Sequence, residues 1–168
     1  TDDAEVCARL RAMRYLGIDE ADGERCRWPS LNAKIDTLQA AMLLVNLEYL
    51  EDKTARRRAI ADFYAESLGE SVICPTEEEG GFNVYYTYSV VAERREQLQE
   101  HLTSRGIETK IHHPILMPYH TAYKHLPKPD IPVAEHLVDR ILSIPAHENI
   151  TMEEASYVAQ SIREFYEG

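Results

Sequence analysis

Cysteine is scarce in this chain: Cys7, Cys26 and Cys74 are the only three among 168 residues. Odd in number and without a CxxC spacing, they argue against a disulfide framework and for reduced thiols. Positive charge is also in deficit, with 18 Lys and Arg against 29 Asp and Glu and a net charge of −11. An electrostatic footprint for nucleic acid or an anionic membrane is therefore missing. Any anionic ligand must be held by local donors against the overall field. No apolar run approaches the length of a membrane span, and no charged-then-apolar leader opens the sequence. A soluble, cytoplasmic protein is expected, with no nucleic acid and no membrane among its partners. An initiator Met is missing too. The chain opens on Thr1-Asp2-Asp3, inside a helix-start pattern, which leads us to expect the back portion of a longer protein.

What is present fits a packed core. Hydrophobic residues make up 44% of the chain and the mean hydropathy is −0.41, ordinary values for a globular protein. Thr1 is positioned to cap a first helix, with Val6, Leu10 and Met13 at helical spacing and Gly17 as its stop. Residues 18–31 read as irregular. A helix starts near Asp36-Thr37 and runs on to Leu68; its first half, Leu38 to Val45, is apolar almost all round and is expected to be buried on several sides. Arg56, Arg57 and Arg58 read as a solvated face balanced by Glu48, Glu51 and Asp52. Phe82, Val84, Tyr86, Tyr88 and Val90 alternate with polar residues and predict a strand. A helix over 93–105 ends at Gly106, and Ile107, Thr109 and Ile111 mark a second strand. Residues 113–132 hold five of the eight prolines and form a long loop. A short helix over 133–139, a buried strand over 141–144 and a final helix behind the Thr151–Glu154 capping box complete the chain. The fold class is therefore α/β (α+β), a small two- to three-stranded sheet covered by helices, one of them long.

Two polar constellations stand out. His112, His113, Tyr119, His120 and His125 gather four of the seven histidines in and before the long loop. They read as strand caps packed on prolines, as a metal site, or as a substrate loop whose His and Tyr groups donate to hydroxyls or phosphate. Composition alone favours the first. The metal reading suffers because adjacent histidines at a strand end face opposite ways and no Cys or acid is interleaved before Asp130. The second constellation is Asn32 and Lys34, on one side of an extended segment ahead of the long helix. An amide and an ammonium there suit a phosphate; alternatively, Asn32 stabilises a turn and Lys34 is solvated.

Several segments together resemble one family. Ser30-Leu31-Asn32-Ala33-Lys34 followed by Leu38-Gln39-Ala40-Ala41-Met42 is similar to its Gly-x-Asn-x-Arg/Lys motif and Gln-Ala-Ala helix. Arg105-Gly106-Ile107-Glu108-Thr109 and then His112-His113-Pro114 resemble its Gly-Ile-x-Thr…His-Tyr-Pro segment. Pro132-Val133-Ala134-Glu135 and Ile141-Leu142-Ser143-Ile144-Pro145-Ala146-His147 resemble its Pro-x-Ala-Glu…Leu-Ser-Leu-Pro-x-His segment. On these motifs the chain is identified as a member of the DegT/StrS-type pyridoxal-phosphate sugar aminotransferases, of the aspartate-aminotransferase fold (fold type I), matching only the C-terminal portion.

The resemblance implies transfer of an amino group from an amino acid, usually glutamate, to a keto group on a nucleotide-linked sugar. It implies pyridoxal 5'-phosphate as cofactor and a cytoplasmic homodimer. Residues 1–35 would end the cofactor domain, and residues 36–168 would form the C-terminal small domain with its connecting helix. Asn32 would reach the cofactor phosphate of the partner subunit. Lys34, His112, His113, Tyr119 and His120 would meet the nucleotide-sugar. The family's Schiff-base lysine lies upstream of the matched segment, and none of Lys34, Lys53, Lys110, Lys124 and Lys128 occupies its motif, so no catalytic residue is assigned. Departures from the family pattern include Ser30 for Gly, Lys34 for Arg and His113 for Tyr. Lys in place of Arg gives up a bidentate fork. Two other readings stay open: a standalone dimerisation or ligand-binding domain, and a fragment of a dehydratase of the same family.

Overall fold

The computed structural model describes residues 1–19, 22–23 and 25–168, which form two compact units, Thr1–Tyr49 and Leu50–Gly168. In the first unit, α1 (Ala4–Met13) is capped by Asp3, whose carboxylate accepts from the N–H groups of Glu5 and Val6 at 2.9 and 3.0 Å. The expected cap, Thr1, instead accepts from the Asp3 N–H. A charged acceptor at the positive helix end outcompetes a hydroxyl two residues further out. The chain then turns through Leu16 and Gly17, both left-handed, with φ of 57° and 69°. A β-carbon at Gly17 would lie 1.7 Å from the Trp28 carbonyl oxygen, so glycine is required twice over.

Within the stretch expected to be irregular, β1 (Ile18–Asp19) and β2 (Arg25–Cys26) pair antiparallel, in register Ile18 with Cys26. Two residues per strand are too few for an alternating pattern to be seen in the sequence. A bridge between Tyr15 and Asn32 then leads to α2 (Thr37–Glu48), capped by Asp36. No residue of α2 is buried, contrary to the expectation for its apolar segment, and Leu38, Met42, Leu44, Val45 and Leu47 are all exposed.

The single helix expected up to Leu68 is two. Tyr49 takes φ −108° and ψ 6°, and its N–H bonds the Asn46 carbonyl, three residues back. The Asn46 amide meanwhile donates to the Met42 carbonyl at 3.0 Å, a local competition that interrupts the i−4 ladder.

The second unit begins with α3 (Leu50–Leu68) and centres on β3 (Tyr88–Val91) and β4 (Ile141–Ile144), paired antiparallel with Ser89 opposite Ser143 and Val90 opposite Leu142. Ile73 bridges Val91 on one side of this pair and Lys110 bridges Ser143 on the other. The expected strand over Ile107–Ile111 is thus a one-residue edge contact. The other expected strand, Phe82 to Val90, is confined to Tyr88–Val91. Tyr85, at φ 46°, is left-handed and breaks the alternation, and Phe82, Val84 and Tyr86 are exposed.

α4 (Arg95–Ser104), α5 (Pro132–Val138) and α6 (Met152–Glu167) follow the expected segments closely, with Gly106 at φ 74° after α4 and the Thr151–Glu154 capping box complete. Helices α3 and α4 both pack on α6. Ala155, Val158, Ala159 and Ile162, at i, i+3, i+4 and i+7, turn into the core beside Tyr64, Leu68, Tyr88, Val90, Leu98, Leu102 and Leu142. The Tyr64 hydroxyl donates to the Pro145 carbonyl at 2.8 Å and Tyr88 to that of Ala61 at 3.3 Å, so both phenols are buried but satisfied.

Of the arginine run only Arg56 is exposed as expected of a solvated face. Consecutive helical positions point about 100° apart, so Arg57 and Arg58 meet different neighbours: Arg57 pairs with Glu148, and Arg58 binds both carboxylate oxygens of Glu77.

Candidate functional site

The β3–β4 pair has two unlike faces. Tyr88, Val90, Leu142 and Ile144 face the core, and the intervening Ser89 and Ser143 face away from it. The two serines lie directly across from each other with hydroxyl oxygens 2.8 Å apart. Facing residues of an antiparallel pair share a face, so the bridge partner Lys110 belongs to the serine face. Its N–H and carbonyl are both bonded to Ser143, at 3.0 and 2.8 Å.

Above this face lies a hollow of about 570 Å³ lined by Tyr86, Thr87, Ser89, His112, His113 and Leu116, closed by Ala134, Leu137 and Val138 of α5. A smaller one of about 200 Å³ adjoins it, sharing Tyr86, Thr87 and His112 and adding Glu108, Lys110, Ser143 and His147. The structure thus brings His112 and His113 together, with ring centroids 6.4 Å apart. Opposite orientations, expected from strand alternation, fail because His113 is left-handed at φ 53°. That backbone flip turns both rings into one cavity.

Tyr119 lies in a third hollow, of about 310 Å³, which shares Leu116 and Val138 with the first. Its hydroxyl donates to the Glu135 carboxylate, and this bond holds the phenol above its ordinary pKa. His120, between two 3-10 turns (Met117–Tyr119 and Thr121–Tyr123), is exposed and lines none of these three hollows. Among the described residues no three His, Cys, Asp or Glu side chains come together as a metal site would require.

Sequence reasoning missed Tyr86, Thr87, Ser89, Lys110 and Ser143 as site residues. The available clue was a single serine inside each of two otherwise apolar strands. Tyr86 was hidden by its place in an apparently continuous inward-facing series. A groove of about 800 Å³ along α3 beside Phe82 and Val84 holds no such cluster: its cations Arg57 and Arg58 are occupied by Glu148 and Glu77.

In the first unit, the Asn32 side-chain oxygen accepts from the Lys34 N–H at 3.2 Å, and the Lys34 ammonium stands 3.4 Å from the Tyr15 ring centroid. Asn32 does stabilise a turn. That bond uses only its carbonyl, so its exposed NH₂ group keeps two donors available, and Lys34 is held by a ring rather than merely solvated. These groups fit a phosphate.

Comparison with known proteins is concordant along the chain. The family model for the DegT/DnrJ/EryC1/StrS aminotransferases matches residues 1–163. A dTDP-3-amino-3,6-dideoxy-alpha-D-galactopyranose transaminase of Aneurinibacillus thermoaerophilus is 30% identical over 98% of this chain and 45% of its own length. Among solved structures, S. venezuelae DesV aligns with TM-score 0.91 and 30% identity, over 100% of this chain and 46% of DesV. A family aminotransferase from Brucella abortus aligns with TM-score 0.88 and 34% identity, over 98% and 44%. The chain therefore spans a little under half the length of these relatives, and it shares the mixed α/β architecture of the fold-type-I sugar aminotransferases. On the family match and these alignments, the chain belongs to the DegT/DnrJ/EryC1/StrS aminotransferase family.

Proposed function

We propose that the chain is the C-terminal part of a pyridoxal-phosphate-dependent aminotransferase that transfers an amino group from glutamate to a keto nucleotide-sugar in the cytoplasm. Residues 1–35 end the cofactor domain; residues 36–168 form the small domain. The observation that carries this reading is the hollow on the serine face of the sheet, where the polar groups of His112, His113, Thr87, Ser89 and Tyr86 converge among apolar walls in a chain of this family. Imidazoles and hydroxyls both donate and accept, which suits the ring hydroxyls of a sugar. About 570 Å³ is room for a small-molecule ligand. Tyr119, tied to Glu135, borders that hollow through Leu116, and His120 extends the same loop.

The cofactor, when bound, supplies the electron sink that lets the proton beside nitrogen be moved. Asn32 offers its free amide hydrogens to the cofactor phosphate of the partner subunit in a homodimer. Lys34 contributes a cation near the substrate diphosphate, released from Tyr15 at small cost because an exposed cation–π contact is worth only about 0.5–1 kcal/mol. None of the five lysines lies in the family's Schiff-base motif, so the 168-residue chain by itself does not transaminate. The exposed apolar side chains of α2 form a face that a further domain or a partner subunit would cover.

The test is Asn32→Asp in the longer, cofactor-loaded protein. A carboxylate beside the phosphate repels it, so the cofactor absorbance retained after gel filtration is expected to fall sharply. Unchanged retention would refute the role of Asn32.

A further inference from the structure

Tyr86 does not stand where the alternation of its strand would put it. Tyr88 and Val90 face the core, so an extended chain would carry Tyr86 to the core side and Tyr85 to the serine face. The two are exchanged. Tyr85 packs against the core, its ring centroid 5.8 Å from that of Tyr88, while Tyr86 is 83% exposed and lines both hollows. The left-handed backbone of Tyr85, at φ 46°, makes the exchange, and a bulky residue keeps that conformation only where its surroundings hold it. Tyr86 supplies no hold of its own: among the described residues its side chain makes no hydrogen bond or ring contact.

The hold converges on one side chain of α3. Arg58 donates to the two carboxylate oxygens of Glu77 at 3.0 and 2.9 Å, and to the Asn83 carbonyl at 2.8 Å. The same Glu77 carboxylate accepts the Asn83 N–H at 2.7 Å, so both backbone groups of Asn83 are fixed two residues before Tyr85. The Arg58 guanidinium also lies over the Phe82 ring, 4.5 Å from its centroid, and stands 6.0 Å from that of Tyr85. Residues 78–84 are all exposed, so no buried side chain anchors this turn. Beyond Tyr86 the chain is secured by the β3–β4 ladder from Tyr88 onward. The left-handed residue thus lies between a ladder on one side and the Arg58 clamp on the other.

We propose that Arg58 is a positioning residue for the larger hollow: through Glu77 and Asn83 it holds Tyr85 left-handed, and so keeps Tyr86 and Thr87 at the cavity. Arg58 lines neither hollow and acts only through these neighbours. A guanidinium suits the task because its planar fork meets a carboxylate and a carbonyl at once and stacks on rings as well. That the hollow receives the sugar rests on the reading above; the clamp itself rests on the contacts just described.

The test is NMR of the full 168-residue chain, comparing the parent with Arg58→Ala, Glu77→Ala and, as a control, Arg57→Ala, which breaks the neighbouring pair with Glu148. One readout is the cross-peak between the amide and α protons of Tyr85, stronger in a left-handed residue than in an extended one. The other is the set of cross-peaks from the Tyr86 ring to the side chains of His112 and Leu116. Arg58→Ala and Glu77→Ala are each expected to weaken the first several-fold and to abolish the second. Arg57→Ala leaves both intact, whatever it costs in stability. Because the two clamp variants remove opposite partners of one link, either suffices if the other does not fold. Parent-like cross-peaks in both, or equal losses in Arg57→Ala, would overturn the positioning role. In the longer, cofactor-loaded protein, Arg58→Ala should raise KM for the keto nucleotide-sugar several-fold, more than it lowers kcat. Lost cross-peaks with an unchanged KM would support the clamp and count against the hollow as the sugar site, so the two readings fail separately.

Discussion

The Ser89–Ser143 pair allows a prediction in which the order of effects matters more than their size. The two hydroxyls are 2.8 Å apart, but their surroundings differ: Ser143 is 7% exposed, whereas Ser89 is only partly buried. Replacing Ser89 by Ala strands the buried Ser143 hydroxyl, and an orphaned buried donor costs about 1–3 kcal/mol. Replacing Ser143 leaves the Ser89 hydroxyl open to water from the larger hollow, so the loss is nearer ~0.5 kcal/mol, the low end for a net hydrogen bond. The double variant has no orphan and costs no more than the milder single change, which gives a coupling of roughly 1–3 kcal/mol between directly contacting groups. Ala and Ser are both poor strand formers, so propensity contributes little. The assay is urea unfolding followed by far-UV circular dichroism. The only tryptophan, Trp28, lies in the other compact unit and would report on the wrong part of the chain. With slopes of about 1–3 kcal/mol per molar urea, Ser89→Ala is expected to lower the midpoint by roughly 0.5–1 M. Additive single-variant costs, or a larger loss for Ser143→Ala than for Ser89→Ala, would refute the account of the pair.

Two other outcomes follow from neighbouring groups. Leu142→Ala, at a fully buried position opposite Val90, should cost about 2.7–5 kcal/mol in the same unfolding assay, and a loss under ~1 kcal/mol would mean that the core can collapse around the gap. Glu148 has its pKa lowered by its own backbone N–H and by Arg57, so its contribution is present above the unfolded carboxylate value and lost as pH falls through the folded one. Glu148→Gln should therefore be less stable than the parent at neutral pH and indistinguishable from it in acid; a difference that persists in acid would place the effect in packing instead of charge.

How far these features were legible in the sequence depended on how local their causes are. α6 is set by a capping box and by apolar positions that repeat within its own 16 residues, and both are visible in one dimension. β4 was legible because a short run of apolar residues is needed wherever a strand is buried. The division at Tyr49 was not, because it follows from a side-chain bond and one backbone angle within an uninterrupted helical pattern. The failure at Tyr85 and His113 has one cause. Alternation predicts facing only while the backbone stays extended, and both residues are left-handed, with φ of 46° and 53°. At Tyr85 the flip ended a strand expected to reach Phe82. At His113 it joined two imidazoles expected on opposite sides. The motif residues Asn32, Lys34, His112 and His113 were legible as candidates because polar side chains bracketed by structure-forming residues stand out. The hydroxyl floor was not, because it exists only after two strands separated by some fifty residues have paired.

That pairing also explains why stability and binding can vary separately in this fold. In β3 and β4 consecutive residues face opposite ways, so Val90 and Leu142 lie in the core while Ser89 and Ser143, one residue along, floor the hollows. Enlarging or shrinking a core-face residue is felt across close-packed neighbours from α3, α4 and α6. A change at Ser89 meets the larger hollow, where size can alter with little packing cost, whereas the more buried Ser143 depends on its hydroxyl partner. Lys110 sharpens the point: its main chain holds the sheet edge and its side chain does not, so the edge tolerates any residue able to form the bridge. A cation at that position is thus not demanded by the fold.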